Sequence, residues 1–377
     1  MSTITRNLML TALCAASIGA CFPDETLRPD DASIDAPRSD LGGPDVVADT
    51  PSIDRPETPP PVDVPPVDVS DVSDVSDVTD ASVCESLPRD PVAAMSVYER
   101  LPDATDFAFD GAGELSVASL RDVLGIGAMG ARSLRFAGLA GNVTALRYLT
   151  SGELVFTVTP AMTGGSLDGG VPGEGAIFTA ASGDGGAPQL RVTAGRVGGI
   201  AVDGEGAVWF SDTPRNRVFR LTFRTGDAGG GVDVSPMISD VMAPTALAFD
   251  ASGRVLYVAS TAMGGSLYRV GLSRTVLGDL MPSDATGVLR GLGSVSGLAV
   301  DQCGNAYIAD ETAGRIVRAS EPWATTTTLV ADVAGVRALA FGQGGTFDGD
   351  TLFFLSGGSV RAASVRARGV PLPVPTR

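Results

Sequence analysis

The sequence predicts an all-β protein: a closed ring of six four-stranded antiparallel sheets, the arrangement called a β-propeller. Three observations predict it. A two-strand motif recurs six times along the chain. Most copies are followed by further strand-like runs that bring the unit to four. The run before the first copy resembles the outer-strand run before the last copy, and the last copy has no outer strand of its own.

The N-terminus reads MSTITRNLMLTALCAASIGACF. Arg6 supplies a positive start, and Leu8 to Ala20 is an apolar run of about thirteen residues, shorter than the ~20 that span a bilayer. It ends in Ile18-Gly-Ala-Cys21, which resembles a bacterial lipobox. That resemblance implies removal of residues 1–20, lipid on Cys21, and a membrane partner through that anchor. Phe22 follows the cysteine, where aspartate holds many lipoproteins at the inner membrane. The implied home is a bacterial cell envelope, at the outer membrane.

Residues 21–87 hold no lasting helix or strand period. They include PPPVDVPPVDVSDVSDVSDVTD, and from Phe22 to Leu87 about seventeen carboxylates face three arginines, roughly −14 of the total −17. Like charges repel and prolines hold the segment extended, with too little apolar surface to offset ordering. It reads as a disordered acidic stalk. From residue 88 onward the charge is only about −4, because Arg6 adds +1 to the −14. Nothing there can neutralise phosphates, so no nucleic-acid partner is expected.

Residues 88–377 carry the repeats. The copies begin at Ala104, Val143, Val197, Ala243, Val295 and Val336, about 40 to 54 residues apart. Each joins two apolar runs by Asp-x-x-Gly or a variant. Aspartate caps such a turn and glycine takes its positive φ. Third strands are read at Asn216–Phe223, Ser266–Leu272 and Gly314–Ser320, and a fourth at Thr325–Val333. The last copy ends with two strands, at Thr351–Ser356 and Ser359–Val365, and no fourth. Ala93–Leu101 resembles the run from Thr326, so it is expected to supply that outer strand and latch the ring.

GLAVDQCGNAYIADETAGRIVRAS, from Gly297, resembles the repeat of NHL-type and SMP-30/gluconolactonase-like six-bladed propellers. The resemblance covers roughly Ala93 to Val365. Lactonases of that superfamily hold a divalent ion in the central channel on a Glu, two Asn and an Asp. The matching places here are Asp106, Thr144, Gly199, Thr245, Ser296 and Arg337. Only Asp106 is a carboxylate, and Arg337 would repel a cation. No metal site and no cofactor are therefore expected.

The chain has no histidine and no lysine. This removes Ser-His-Asp and Cys-His catalysis, lysine Schiff bases and imidazole-bound zinc. The GIGAMG stretch from Gly125 matches a dinucleotide pattern but lacks the helix that the pattern needs. The preferred reading is a non-catalytic binding or interaction module for a small molecule or protein, monomeric, with a metal-dependent lactonase-like hydrolase or a structural part of an envelope assembly as alternatives.

Candidate binding residues follow from comparison of loops. AMGARSL from Ala128, AMTGGSL from Ala161 and AMGGSL from Ala262 are read as connections between second and third strands. Met129, Met162 and Met263 would then stand on one face, with Asp168 and Glu174 in the longest of these loops and Asp106 at the channel. Arg215, Arg217 and Arg220 cluster on one hairpin and are expected to form surface ion pairs.

Of four cysteines, Cys14 leaves with the signal peptide and Cys21 takes the lipid. Cys84 ends the stalk and Cys303 lies in the fifth copy's turn. Strand directions put both on one face in neighbouring blades, so a Cys84–Cys303 disulfide is expected in an oxidising compartment.

Overall fold

Six antiparallel sheets follow one another along the chain, and the inner strands of successive sheets lie side by side around a closed circle. The structure is a computed structural model that describes residues 81–160, 174–181, 186–224 and 231–372. Residues 1–80, with the expected signal peptide, Cys21 and stalk, lie outside the described residues, as do Met162 and Asp168.

The inner strands are Ala104–Phe109, Gly141–Tyr148, Val197–Val202, Pro244–Phe249, Val295–Val300 and Arg337–Phe341, defining blades 1 to 6. The second strands Val208–Asp212, Val255–Ser260 and Ala306–Asp310 are buried along their whole length. Each is covered by a neighbouring blade on both faces. This is why the sequence shows continuous apolar runs there instead of alternation.

Six buried clusters hold the ring, one at each blade interface. Phe107 and Phe109 of blade 1 meet Phe347 and Phe353 of blade 6, for example, and Trp209 of blade 3 packs edge-on against Phe249 of blade 4. Burying such faces is the main driving force for closure.

The aspartate-capped hairpins form as read. Asp203 Oδ1 accepts from Glu205 N at 3.0 Å and Ala207 N at 2.9 Å, and Gly206 takes φ 81°. In the fifth copy Asp301 Oδ1 accepts from Cys303 N and Asn305 N, both at 2.9 Å, and Gly304 takes φ 77°.

The latch is present. Met95–Tyr98 pairs antiparallel with Ser359–Ser364, Met95 opposite Ala362 and Tyr98 opposite Val360, so both chain ends build blade 6. Blade 4 departs from four simple strands. Its long third strand Ser266–Arg274 pairs with two outer pieces, Leu280–Pro282 and Thr286–Arg290.

The stalk expectation needs trimming at its end. Ala81–Glu85 is a helical turn, Leu87 is buried, and Cys84 is bonded to Cys303, with Cα atoms 5.7 Å apart. Residues 81–87 thus belong to the propeller. The covalent tie and the buried Leu87 hold these residues although they show no lasting strand or helix period.

Candidate functional site: the central channel

The ring has two faces. Inner strands begin at what we call the entry face and end at the exit face. First-to-second and third-to-fourth hairpins therefore lie on the exit face, and second-to-third connections on the entry face.

A one-residue register shift near the start of the inner strand occurs in all six blades, and in blades 1, 2, 4 and 5 it falls at the same place. It turns the shifted side chain toward the next blade. Thr105 Oγ1 donates to the Val143 carbonyl at 2.6 Å, Thr144 Oγ1 to Val197 at 3.3 Å, Thr245 Oγ1 to Val295 at 3.0 Å, and Ser296 Oγ to Val336 at 2.8 Å. Blade 3 has Gly198 at this place, where a Cβ would sit 2.9 Å from Thr213 Oγ1. Thr213 itself donates to the Pro244 carbonyl at 2.8 Å. These hydroxyls thus sew blades together and are not turned over to a ligand.

The shift also corrects the expected ligand set. Thr144, Thr245 and Ser296 share the shifted position with Thr105. Asp106 and Gly199 stand one residue further on, level with Ala145, Ala246, Gly297 and Ala338. The six expected ligands therefore belong to two levels of the channel and cannot form one ring.

Below the hydroxyls the channel is lined by two rings. The first is Asp106, Ala145, Gly199, Ala246, Gly297 and Ala338, around a void of about 40 Å³. The second, toward the exit face, is Ala108, Arg147, Ala201, Ala248, Ala299 and Ala340, which line a cavity of about 230 Å³. Each ring is small-residue throughout except once. The two exceptions meet: Arg147 Nη1 donates to Asp106 Oδ2 at 2.8 Å, and Leu146 N donates to the same oxygen at 2.9 Å. Burial pushes the Asp106 carboxyl above its ordinary range, against the pull of Arg147 and the backbone donors.

The exit-face cavity is apolar. Phe109, Leu247, Phe249, Leu298, Leu339 and Phe341 wall it, and Val370–Leu372 of the C-terminal segment lean into its mouth. That segment crosses from blade 6 to blade 5. Gln302 N donates to the Arg368 carbonyl at 2.8 Å and Val370 N to the Val300 carbonyl at 2.9 Å, while Gly369 bridges Asp301. The hairpin bearing Cys303 therefore receives both ends of the domain, one by a disulfide and one by a β-bridge.

The remaining predicted residues disperse. Met263 is on the entry face in the turn Ala262–Gly264 and is exposed. Met129 is on the exit face, which corrects the shared rim. The turn at Leu120–Arg121 already joins the second and third strands of blade 1, so AMGARSL connects the third to the fourth. Similar loop sequences here serve two different connections, because any tight turn favours small residues. Glu174 is taken by Arg215 Nη2 at 2.6 Å, and Arg215 also holds Asp212 at 2.8 Å. Arg220 pairs with Asp203 and Glu205, so two of the three hairpin arginines, Arg215 and Arg220, form the ion pairs expected of them. The GIGAMG stretch is a strand and hairpin.

Sequence reasoning missed Arg147. The signal was present: aligned on the turn, it replaces the alanine of five other copies. It also missed the C-terminal crossing, which carries no strand period.

Neither a family model nor a curated protein matches the sequence. Solved structures do match the fold. A gluconolactonase of Xanthomonas campestris superposes with a TM-score of 0.55 at 17% identity, over 73% of this chain and 89% of that one. Regucalcin of Agrobacterium tumefaciens, described as a calcium-binding protein, gives 0.54 at 15% over 76% and 99%. An auxiliary nutrient binding protein of Bacteroides thetaiotaomicron gives 0.52 at 12% over 71% and 69%. The chain is thus similar in fold to SMP-30/gluconolactonase-like six-bladed propellers, the likeness its repeats imply. At these identities the likeness carries the fold alone.

A divalent ion on oxygen ligands, as that fold implies, does not fit this donor set. The single channel carboxylate is bound to a guanidinium and a backbone amide, and a cation would face Arg147. Among the described residues, no group of three or more Asp, Glu, Cys or His side chains stands close enough to hold a metal.

Proposed function

We propose that the chain is a lipid-anchored protein of the bacterial cell envelope, at the outer membrane, whose propeller is a non-catalytic binding module. The tether is Cys21, read from Ile18–Cys21, followed by the acidic stalk. The observation that supports the module is the channel: two rings of small residues, one internally neutralised ion pair, and an apolar cavity at the exit face. Ligand sites are concave, mostly apolar and marked by few polar groups. The hydrolase alternative draws its support from the fold shared with gluconolactonases. A lactone-hydrolysis assay with added calcium, manganese or zinc separates the two. The module reading expects no rate above buffer and no change on Asp106→Ala. A metal-dependent rate lost in Asp106→Ala would overturn it. For the tether, fatty-acid labelling in the producing cell is expected to mark the protein and to vanish in Cys21→Ala.

A further inference from the structure

We propose that the exit-face cavity binds a small organic anion with an apolar body, a medium-chain or single-ring carboxylate, with its head on Arg147. The inference rests on the binding-module reading and names its ligand class.

The walls set the body of the ligand. The residues around the cavity are aliphatic and aromatic, and about 230 Å³ lies below the ~300 Å³ at which drug-sized sites begin. The occupant is therefore small and largely hydrocarbon.

The polar groups set its head. Asp203 and Asp250 line the mouth, but their oxygens are spent. Asp203 accepts from Glu205 N, Ala207 N, Trp209 Nε1 and Arg220 Nε, and Asp250 from Arg254 N, Val255 N and Ser252 Oγ. Tyr148 hydroxyl is engaged with Ser116 Oγ at 2.8 Å. Arg147 differs. Its Nη1 serves Asp106 and the Leu146 carbonyl, whereas Nε and Nη2 make no hydrogen bond among the described residues. The side chain is 19% exposed and lines both voids, so its unused donors border the channel. A guanidinium offers five donors in one plane and suits a carboxylate. Two unmet donors beside carboxylates that are already engaged call for an anion, not a cation or an amine. Asp106 neutralises part of the attraction, so affinity is modest and depends on both head and tail.

The test is isothermal titration of the full chain with octanoate, octan-1-ol and octylamine. Octanoate is expected to bind at least about tenfold tighter than octanol, the range for charge-assisted over absent hydrogen bonds, and octylamine not at all. Ala248→Leu, which fills the half-exposed ring position, is expected to weaken octanoate at least about tenfold. Asp106→Asn, which removes the competing charge, is expected to tighten it. Octanol binding as tightly as octanoate would overturn the anion assignment while leaving the binding-module reading in place. Octanoate binding untouched by Ala248→Leu would overturn the site. The module reading fails separately, in the lactone assay. Should Asp106→Asn not fold, the three-ligand comparison on the unaltered chain still decides.

Discussion

Asp106 of blade 1 and Arg147 of blade 2 lie 2.8 Å apart across a blade interface, and each is the single break in a ring of small residues. The pair is a coupled departure from the repeat. One charge alone would be buried without a partner, which costs far more than either ring position could return. Arg147→Ala is expected to destabilise the domain by about 3–5 kcal/mol. The double change Asp106→Ala with Arg147→Ala is expected to cost clearly less, because it completes both rings. Denaturant unfolding of the two variants checks this, and a double variant no better than the single would contradict it.

The hydroxyl-to-carbonyl bonds at the entry end make a second, independent prediction. Thr245 Oγ1 donates to the Val295 carbonyl of the next blade. Thr245→Val keeps the shape and removes the donor. It is expected to cost about 0.5–1.5 kcal/mol in the same measurement. Converting Thr105, Thr245 and Ser296 together should cost roughly the sum, since the sites are in different interfaces.

The disulfide ties residue 84 to residue 303, a sequence separation of 219. Closing so long a loop restrains the unfolded chain, by on the order of 5 kcal/mol in the entropy model and commonly less in practice. Replacing Cys84 and Cys303 by serine is expected to lower stability by about 2–4 kcal/mol. Limited proteolysis should then cut first in residues 81–94, because the covalent hold on that segment has gone. Alkylation without reduction is expected to add no mass at either cysteine.

The same hairpin carries a pH signature. Asp301 is buried, and its carboxylate accepts from Cys303 N and Asn305 N at one oxygen and from Asn305 Nδ2 and the Tyr307 hydroxyl at the other. Burial raises its pKa above the ordinary carboxylate value, the hydrogen bonds opposing. The proton is thus held more firmly when folded than when unfolded. The stability this contributes is present below the ordinary carboxylate value and is lost as pH rises through the raised one. Relative to Asp301→Asn, the unaltered chain should gain stability as pH falls from 7 toward 4. A gap that is flat or shrinks over that interval would contradict the assignment.

Much of the fold was legible because repetition is visible in a single sequence. The Asp-x-x-Gly turns from Asp203 and Asp301 located the hairpins, and the likeness of Ala93–Leu101 to the run from Thr326 located the latch. The site was less legible. Asp106 stands one residue beyond the place that Thr144 and Thr245 hold in their own copies, so the expected ligands belong to two levels of the channel. The site's geometry turns also on which of two connections a loop makes, which placed Met129 and Met263 on opposite faces. Both depend on strand pairing, which a local pattern does not encode. Arg147 was readable in principle, as the charge standing where other copies keep alanine. The Val365–Leu372 crossing was not, because it is held by backbone bonds to Gln302 and Val300 and has no pattern of its own.

The channel is proposed to bind its ligand without a metal. Divalent-metal content of the purified full chain, measured after dialysis, tests this most directly. The donor set around Asp106 and Arg147 predicts well under one equivalent of calcium, magnesium, manganese or zinc. One equivalent retained by the unaltered protein and lost in Asp106→Ala would contradict the account.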